Sequence, residues 1–138
     1  MKPKVVLTFM CADLFHIGHL NLLERAKRLG DVLVVGLPTH WTIKEHTKHK
    51  DMIFIAEERL RIVQAIKYVD FAFVYADVPA LEKSVEIIKP DLYVRGDDWF
   101  DFPGKQRIEE LGIPITYLHY TDGISTTRIK KRIKCLDN

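Results

Sequence analysis

Short apolar runs alternate along the chain with stretches of helical period. Lys4–Phe9 is predicted as a strand: Val5, Val6, Thr8 and Phe9 are strand formers, Leu7 adds apolar bulk, and no breaker interrupts them. His19–Leu29 is predicted as a helix with Leu22, Leu23, Ala26 and Leu29 on one side and Gly30 as its stop. Val32–Leu37 is a second unbroken apolar run, the pattern of a strand buried on both faces of a parallel sheet. From Thr39 to Ile55 the chain is polar and aperiodic, which suits a functional loop. Glu57–Val69 carries Ile62, Val63, Ile66 and Val69 at helical spacing. Phe71–Tyr75 is a third strand, and Pro79–Lys89 a helix that begins with proline, where the missing amide does little harm. A strand over Leu92–Arg95 breaks at Gly96, a helix over Gln106–Leu111 ends at Gly112, and Ile113–Tyr120 is a fifth strand. A last helix starts near Ser125 with Ile129, Ile133 and Leu136 on one stripe.

This alternation predicts one α/β domain over residues 1–138: a Rossmann-like, doubly wound parallel sheet of five strands with helices on both faces. Ligands of such sheets bind beyond the carboxyl ends of the strands, where the strand order reverses. The segments that follow the strands are therefore the candidates for chemistry.

Composition narrows the class. At 47% hydrophobic and 29% charged residues the chain is rich enough in apolar groups to exclude a disordered polypeptide. Its apolar runs are strand-length, short of the roughly 20 residues of a membrane helix. Met1-Lys2-Pro3-Lys4 leads into too brief an apolar stretch for a signal peptide, so the cytoplasm is the expected location. A net charge of +2 is too small to argue for nucleic acid as a partner. Cys11 and Cys135 are far apart and form no CxxC pair, so reduced thiols are expected, with Cys11 a small buried residue.

Three motifs follow strands. His16 and His19 sit three apart at a helix start, with Gly18 between them allowing close approach to the backbone. Helix starts favour anions through free amides and the dipole, so this reads as a phosphate site. A capped helix with incidental histidines, or a zinc pair lacking a third ligand at a telling spacing, are the other readings. Gly123-Ile124-Ser125-Thr126-Thr127 offers hydroxyls and amides at another helix start, either a second anion cradle or an ordinary cap. Two such cradles favour a polyphosphate. Lys44, Lys48 and Lys50 in the polar loop, followed by Arg59, can neutralise phosphate charge; a solvated loop is the plainer reading. His40, His46 and His49 lack partners at metal-ligand spacing, and the basic run from Arg128 to Lys134 reads as a solvated helix face.

Taken together these residues resemble a known family. His16-Ile17-Gly18-His19 matches the HxGH signature of the nucleotidyltransferase superfamily, and Ile124-Ser125-Thr126-Thr127 matches its second signature. Arg95-Gly96-Asp97-Asp98-Trp99, Lys48-His49-Lys50 and Arg59 are similar to motifs of the small bacterial cytidylyltransferases, of which glycerol-3-phosphate cytidylyltransferase is the best-known member. Two departures resemble instead the nucleotidyltransferases of phosphonate pathways: Met10-Cys11-Ala12-Asp13 replaces a Gly-Thr-Phe-Asp approach, and Tyr120 replaces an arginine ahead of the last motif.

The resemblance implies transfer of CMP from CTP to a small phosphate, phosphonate or phosphoramidate, phosphoglutamine being one example, with release of pyrophosphate. Glycerol 3-phosphate as acceptor, or adenylyl transfer, are the alternatives within the superfamily, and a non-catalytic nucleotide-binding regulator is the alternative outside enzymes. An acceptor phosphate with a second pKa of about 6 is already an anion near neutrality, so positioning and charge, not a general base, set the barrier. By resemblance, His16, His19, Lys50 and Arg59 are catalytic. Met10, Cys11, Ala12, Asp13, Gly18, Lys48, Gly96, Asp97, Asp98, Trp99, Gly123, Ile124, Ser125 and Thr126 bind the nucleotide. Lys44 and Tyr120 meet the acceptor, with His40 and Trp41 as further contacts. Mg²⁺ is the implied cofactor, carried mostly by phosphates with some help from Asp13, and a homodimer the implied assembly.

Overall fold

The computed structural model describes residues 1–39 and 52–136. Five parallel strands, β1 (Val5–Phe9), β2 (Val32–Pro38), β3 (Phe71–Tyr75), β4 (Leu92–Gly96) and β5 (Ile115–Leu118), stand in the order β3-β2-β1-β4-β5. The helices among the described residues are α1 (Ile17–Lys27), α2 (Ala56–Gln64), α3 (Val78–Ile88), α4 (Lys105–Glu110) and α5 (Thr126–Leu136).

Strand alternation sorts the core into two layers. Val6, Leu33, Val35, Leu37, Leu92 and Val94 point to one face and meet Leu23 and Ala26 of α1 and Val63 of α2. Leu7, Phe9, Val34 and Tyr93 point to the other and meet Leu81 and Val85 of α3 and Ile108 of α4. Each run is apolar at both parities because both faces are covered, as a doubly wound sheet requires. The expected Rossmann-like architecture is therefore the observed one.

The order reverses at β1, which pairs with β2 on one side and β4 on the other. β1 and β2 stay in register from Val5–Val32 to Phe9–Gly36. β1 and β4 pair only at Val6–Leu92 and Leu7–Tyr93. Their pairing lies at these two positions, and the carboxyl ends of the two strands flank the crevice in which the switch-point rule places a ligand.

Several boundaries differ from the sequence expectation for local reasons. The first helix begins at Ile17, two residues early, because His16 is its cap. The second stops at Gln64, not Val69; Ile66 and Val69 continue as tighter turns, bonding to Val63 O and Ile66 O, and still pack on the core. Asp77 starts α3 by accepting from Ala80 N–H at 2.8 Å. The fifth strand is four residues, with Tyr120 outside it. The apolar stripe of α5 is present, but none of its residues is buried, and Ile133 and Leu136 are exposed.

Candidate active site

The loop from β1 to α1 is held in an unusual shape. Ala12 and Leu14, with φ of 55° and 49°, both take the left-handed conformation that side-chain-bearing residues rarely adopt. Such strain persists only where neighbours enforce it, and it gathers at functional sites. Between them lies Asp13, buried, with its carboxylate accepting from Ile53 N–H at 2.8 Å, Phe54 N–H at 2.9 Å and Leu14 N–H at 3.1 Å. Asp13 thus anchors the residues where the polar segment returns to the fold.

Arg59 braces the same region. Fully buried, its Nε donates to Phe54 O at 3.1 Å and its Nη1 to Cys11 O at 3.0 Å and Pro38 O at 2.8 Å. Burial lowers its pKa, and the Asp13 carboxylate opposes that shift. A guanidinium remains charged under such conditions. Sequence resemblance gives Arg59 a direct role on phosphate; the contacts seen are those of a brace that ties three backbone segments together. Its Nη2 has no partner among the described residues.

The start of α1 is built from its two histidines. Gly18 N–H donates to His16 Nδ1 at 3.0 Å, and His16 N–H donates to His19 Nδ1 at 3.1 Å. The rings lie 3.9 Å apart, and Phe15 stacks on His19 at 5.3 Å. Because Nδ1 accepts in both, the proton of each neutral ring must sit on Nε2. Desolvation by burial lowers the His16 pKa, so the neutral form prevails at neutral pH. Two Nε2–H donors of fixed tautomer are the consequence. Gly18 is required: a Cβ there would stand 2.8 Å from His16 Cε1. The first turn carries no acidic residue, which leaves the positive end of the dipole uncompensated.

The start of α5 meets this one directly. A Cβ on Gly18 would also lie 3.4 Å from Ile124 Cγ2. Thr126 Oγ1 donates to Asp13 O at 2.9 Å, and Asn21 Nδ2 donates to Thr121 Oγ1 at 3.1 Å. Ser125 Oγ caps the helix by accepting from Arg128 N–H at 3.1 Å, and Gly123 turns the chain with φ of 83°. Segments at opposite ends of the sequence are thereby stitched into one wall.

Beyond β4, Asp98 Oδ1 lies where a Cβ on Gly96 would be 2.9 Å away, so Gly96 lets the side chain fold back. Arg95 holds Trp99: its guanidinium carbon lies 4.8 Å from the Trp99 ring and 4.7 Å from Phe102, and Nη1 reaches Phe9 O at 3.4 Å. Arg95 thus links the end of β4 to the end of β1. Sequence reasoning missed this role, although a cation shortly before a tryptophan at a strand end was a signal for it. Tyr120 is exposed and lines a groove of about 380 Å³ with Asn21, Arg25, Arg28 and Thr121. Met10 packs against the first core layer, and Ala12 lies within it. Cys11 is half-buried, less than expected, and its carbonyl accepts from Arg59. Lys44, Lys48 and Lys50, with His40, Trp41, His46 and His49, lie outside the described residues.

Among the described residues no three His, Cys, Asp or Glu side chains converge as a metal-holding set. Asp13, the residue expected to aid Mg²⁺, spends its carboxylate on three amides. The described donor set therefore does not fit a protein-built metal site. No helix among the described residues is long and apolar enough to cross a membrane.

Comparison with known proteins agrees with this geometry. The family model described as cytidylyltransferase-like matches residues 8–132. The chain is 38% identical over 133 residues to glycerol-3-phosphate cytidylyltransferase of Staphylococcus aureus, covering 94% of this chain and 95% of that protein. It is 34% identical over 132 residues to the bifunctional protein HldE of Citrifermentans bemidjiense, where it covers 94% of this chain but only 27% of that longer protein. Among solved structures, a lipopolysaccharide core biosynthesis protein from Thermoplasma volcanium superposes with a TM-score of 0.71 at 28% identity, covering 87% of this chain and 98% of that one. The signature histidines, the strapped last motif and the family match converge, and the chain belongs to the cytidylyltransferase-like family of nucleotidyltransferases.

Proposed function

We propose that this protein transfers CMP from CTP to a small phosphate, phosphonate or phosphoramidate acceptor and releases pyrophosphate. The observation that carries the proposal is the pair of helix starts, α1 and α5, meeting beside the imidazoles of His16, the α1 cap, and His19 in its first turn. Free amides and dipoles of two helices converge where a triphosphate's charge must be held. The acceptor oxyanion attacks the α-phosphorus in line, and the bond to the bridging oxygen of pyrophosphate breaks. His16 and His19 donate from Nε2 to oxygens that gain charge in that step, as preorganised donors do. The α5 amides hold the outer phosphates, and the Asp98–Trp99 side of the crevice takes the nucleoside. Lys48 and Lys50, with phosphate roles, and Lys44, with an acceptor role, are assigned by resemblance alone, since all three lie outside the described residues. Any Mg²⁺ that the reaction needs would supply charge neutralisation at the nucleotide's phosphates, and no three-residue His, Cys, Asp or Glu set among the described residues would hold it.

The acceptor differs from glycerol 3-phosphate. Tyr120, with one hydroxyl and no charge, stands where the resembling cytidylyltransferases carry an arginine fork. The groove beside it has a mixed lining, Glu24 and Asp122 facing Arg25 and Arg28, so it is Tyr120 that supports an acceptor of another shape, phosphoglutamine or an alkylphosphonate among them. The exposed Ile133 and Leu136 of α5 support a homodimer, which sedimentation would test.

Pyrophosphate release with CTP, ATP, UTP and GTP, each against glycerol 3-phosphate, 2-aminoethylphosphonate, 2-hydroxyethylphosphonate and phosphoglutamine, tests both statements. CTP is expected to give the fastest turnover. Equal or faster turnover with ATP would sink the nucleotide assignment in favour of adenylyl transfer. A kcat/KM for glycerol 3-phosphate tenfold above the other acceptors, about 1.4 kcal/mol, would sink the reading of Tyr120.

A further inference from the structure

At the β4–β5 side of the crevice a histidine joins two loops. His119, just past β5, has Nδ1 3.0 Å from Asp97 Oδ2 and Nε2 3.4 Å from Asp122 Oδ2. Asp97 begins the loop after β4, and Asp122 lies immediately before Gly123 and the start of α5. Backbone bonds reinforce the junction: Tyr120 N–H donates to Asp97 Oδ1 at 3.1 Å, and Asp97 N–H donates to Leu118 O at 2.9 Å. The Tyr120 ring lies 5.0 Å from the imidazole. From α1, Arg25 Nη1 donates to His119 O at 2.8 Å. Glu24 and Arg28, paired with each other at 2.7 Å, line the same groove. The groups facing His119 are thus two carboxylates on its ring, one arginine on its carbonyl, and a mutually neutralised pair beyond.

Two carboxylates on one imidazole set a requirement. A neutral ring carries one proton and donates to one side only; its bare nitrogen then faces the other carboxylate's lone pairs. The imidazolium donates to both. The hydrogen bond to Asp97, then that to Asp122, holds the His119 pKa above the ordinary 6.5. The same bond, with that from Tyr120 N–H, holds the Asp97 pKa low.

We infer that His119, as an imidazolium between Asp97 and Asp122, is a positioning residue that couples the loop after β4 to the loop before α5, so that the protein grips its nucleotide more tightly when the ring is charged. The inference rests on the reading that these two loops bind the nucleotide. It extends that reading to a residue outside all the motifs, one that touches no reacting atom. The charged ring dominates below its raised pKa and is lost as pH climbs through it, so the grip weakens on the alkaline side.

Two measurements on the full chain test this. In the ligand-free protein, NMR follows the His119 ring and the amides of Asp97, Asp98, Trp99, Asp122 and Gly123 from about pH 5.5 to about pH 9. The ring and both sets of amides are expected to share one midpoint above the ordinary histidine value, and the amides to lose it in His119→Gln. The second measurement is CTP affinity and the split between KM and kcat over the same range. Wild-type affinity is expected to fall about threefold more than that of His119→Gln between about pH 6.5 and about pH 8.5, with kcat little changed, the scale of exposed ion pairs. Titration of the triphosphate itself is common to both proteins and cancels in the difference. A ring midpoint at or below 6.5, movement of only one loop, or identical affinity profiles in the two proteins would each overturn the inference. If neither protein binds CTP, the functional reading fails, and the ligand-free titration still decides whether His119 couples the loops.

Discussion

The helices α1 and α5 both open onto the crevice with amides uncompensated by acidic residues, yet they are built in opposite ways. α1 buries Leu23 and Ala26 in the first core layer and caps itself with two imidazoles packed 3.9 Å apart. No residue of α5 is fully buried, Ile129 being half-buried, and its start carries the Ser125 cap and a bond from Thr126 to Asp13 O. Resistance to local opening follows buried apolar contact, so α1 must open only with the whole domain and α5 well before it. The difference suits a division of labour. Groups that act on the reacting phosphorus need fixed geometry, whereas the holder of outer phosphates can adjust as pyrophosphate leaves.

The largest break in this comparison comes from the rigid side. His16→Ala or His19→Ala is expected to lower turnover by at least about a hundredfold, near 3 kcal/mol, as loss of one preorganised donor does. Circular dichroism should stay native while the rate falls. A His19→Ala protein with near-normal turnover would reduce the α1 start to a mere cap.

Arg59→Met probes the brace under that rigid side. The Pro38 carbonyl loses a buried donor, and the Cys11 and Phe54 carbonyls lose partly buried ones. Stranded buried acceptors cost about 1–3 kcal/mol each, so a loss of about 3 kcal/mol of folding stability is expected by denaturant titration. A loss under about 1 kcal/mol, the scale of an ordinary surface change, would mean that the brace is not needed.

The compliant side is tested by Ser125→Ala, which removes a hydroxyl cap worth about 1 kcal/mol. Amide exchange within α5 should accelerate about fivefold, the factor that energy sets, while the global unfolding midpoint barely moves. An equal drop in global stability would show α5 to be as tightly coupled to the core as α1, and the contrast would dissolve.

What was legible in the sequence follows the same division. Strands buried on both faces advertise themselves as continuous apolar runs, so the doubly wound sheet could be read from Val32–Leu37 and its like. The His16–His19 and Gly123–Thr126 segments were legible because a helix start needs capping groups and glycine at fixed offsets. Contacts between distant segments left no such trace. Nothing local in Arg59 says that its guanidinium is consumed by carbonyls of residues 11, 38 and 54. Nothing local in His119 says that Asp97 lies 3.0 Å away. Nor does the stripe of Ile129, Ile133 and Leu136 reveal that, among the described residues, Ile133 and Leu136 stay exposed, since periodicity reports a face and not what covers it.

The smallest expected effect is one of pH, and it bears on the cap of α1. His16 Nδ1 accepts from Gly18 N–H, which only the unprotonated nitrogen can do. Desolvation lowers the folded pKa below the ordinary 6.5, so the unfolded chain binds the proton more readily between the two values. Stability from this cap is therefore fully present above about pH 6.5 and declines as pH falls through the folded pKa. His119 has the opposite sign: its raised pKa gives stability present at low pH and lost as pH rises. Comparing wild type with His16→Asn separates the two, because asparagine caps a helix at any pH and leaves His119 unchanged. Between about pH 7.5 and about pH 5.5 the wild-type denaturation midpoint should fall further than the variant's. Parallel profiles would mean that His16 keeps its cap when protonated, or does not take the proton in this range. In the first case the fixed tautomer, on which the rigid half of the comparison depends, would lose its support; in the second the ring stays neutral and the tautomer stands.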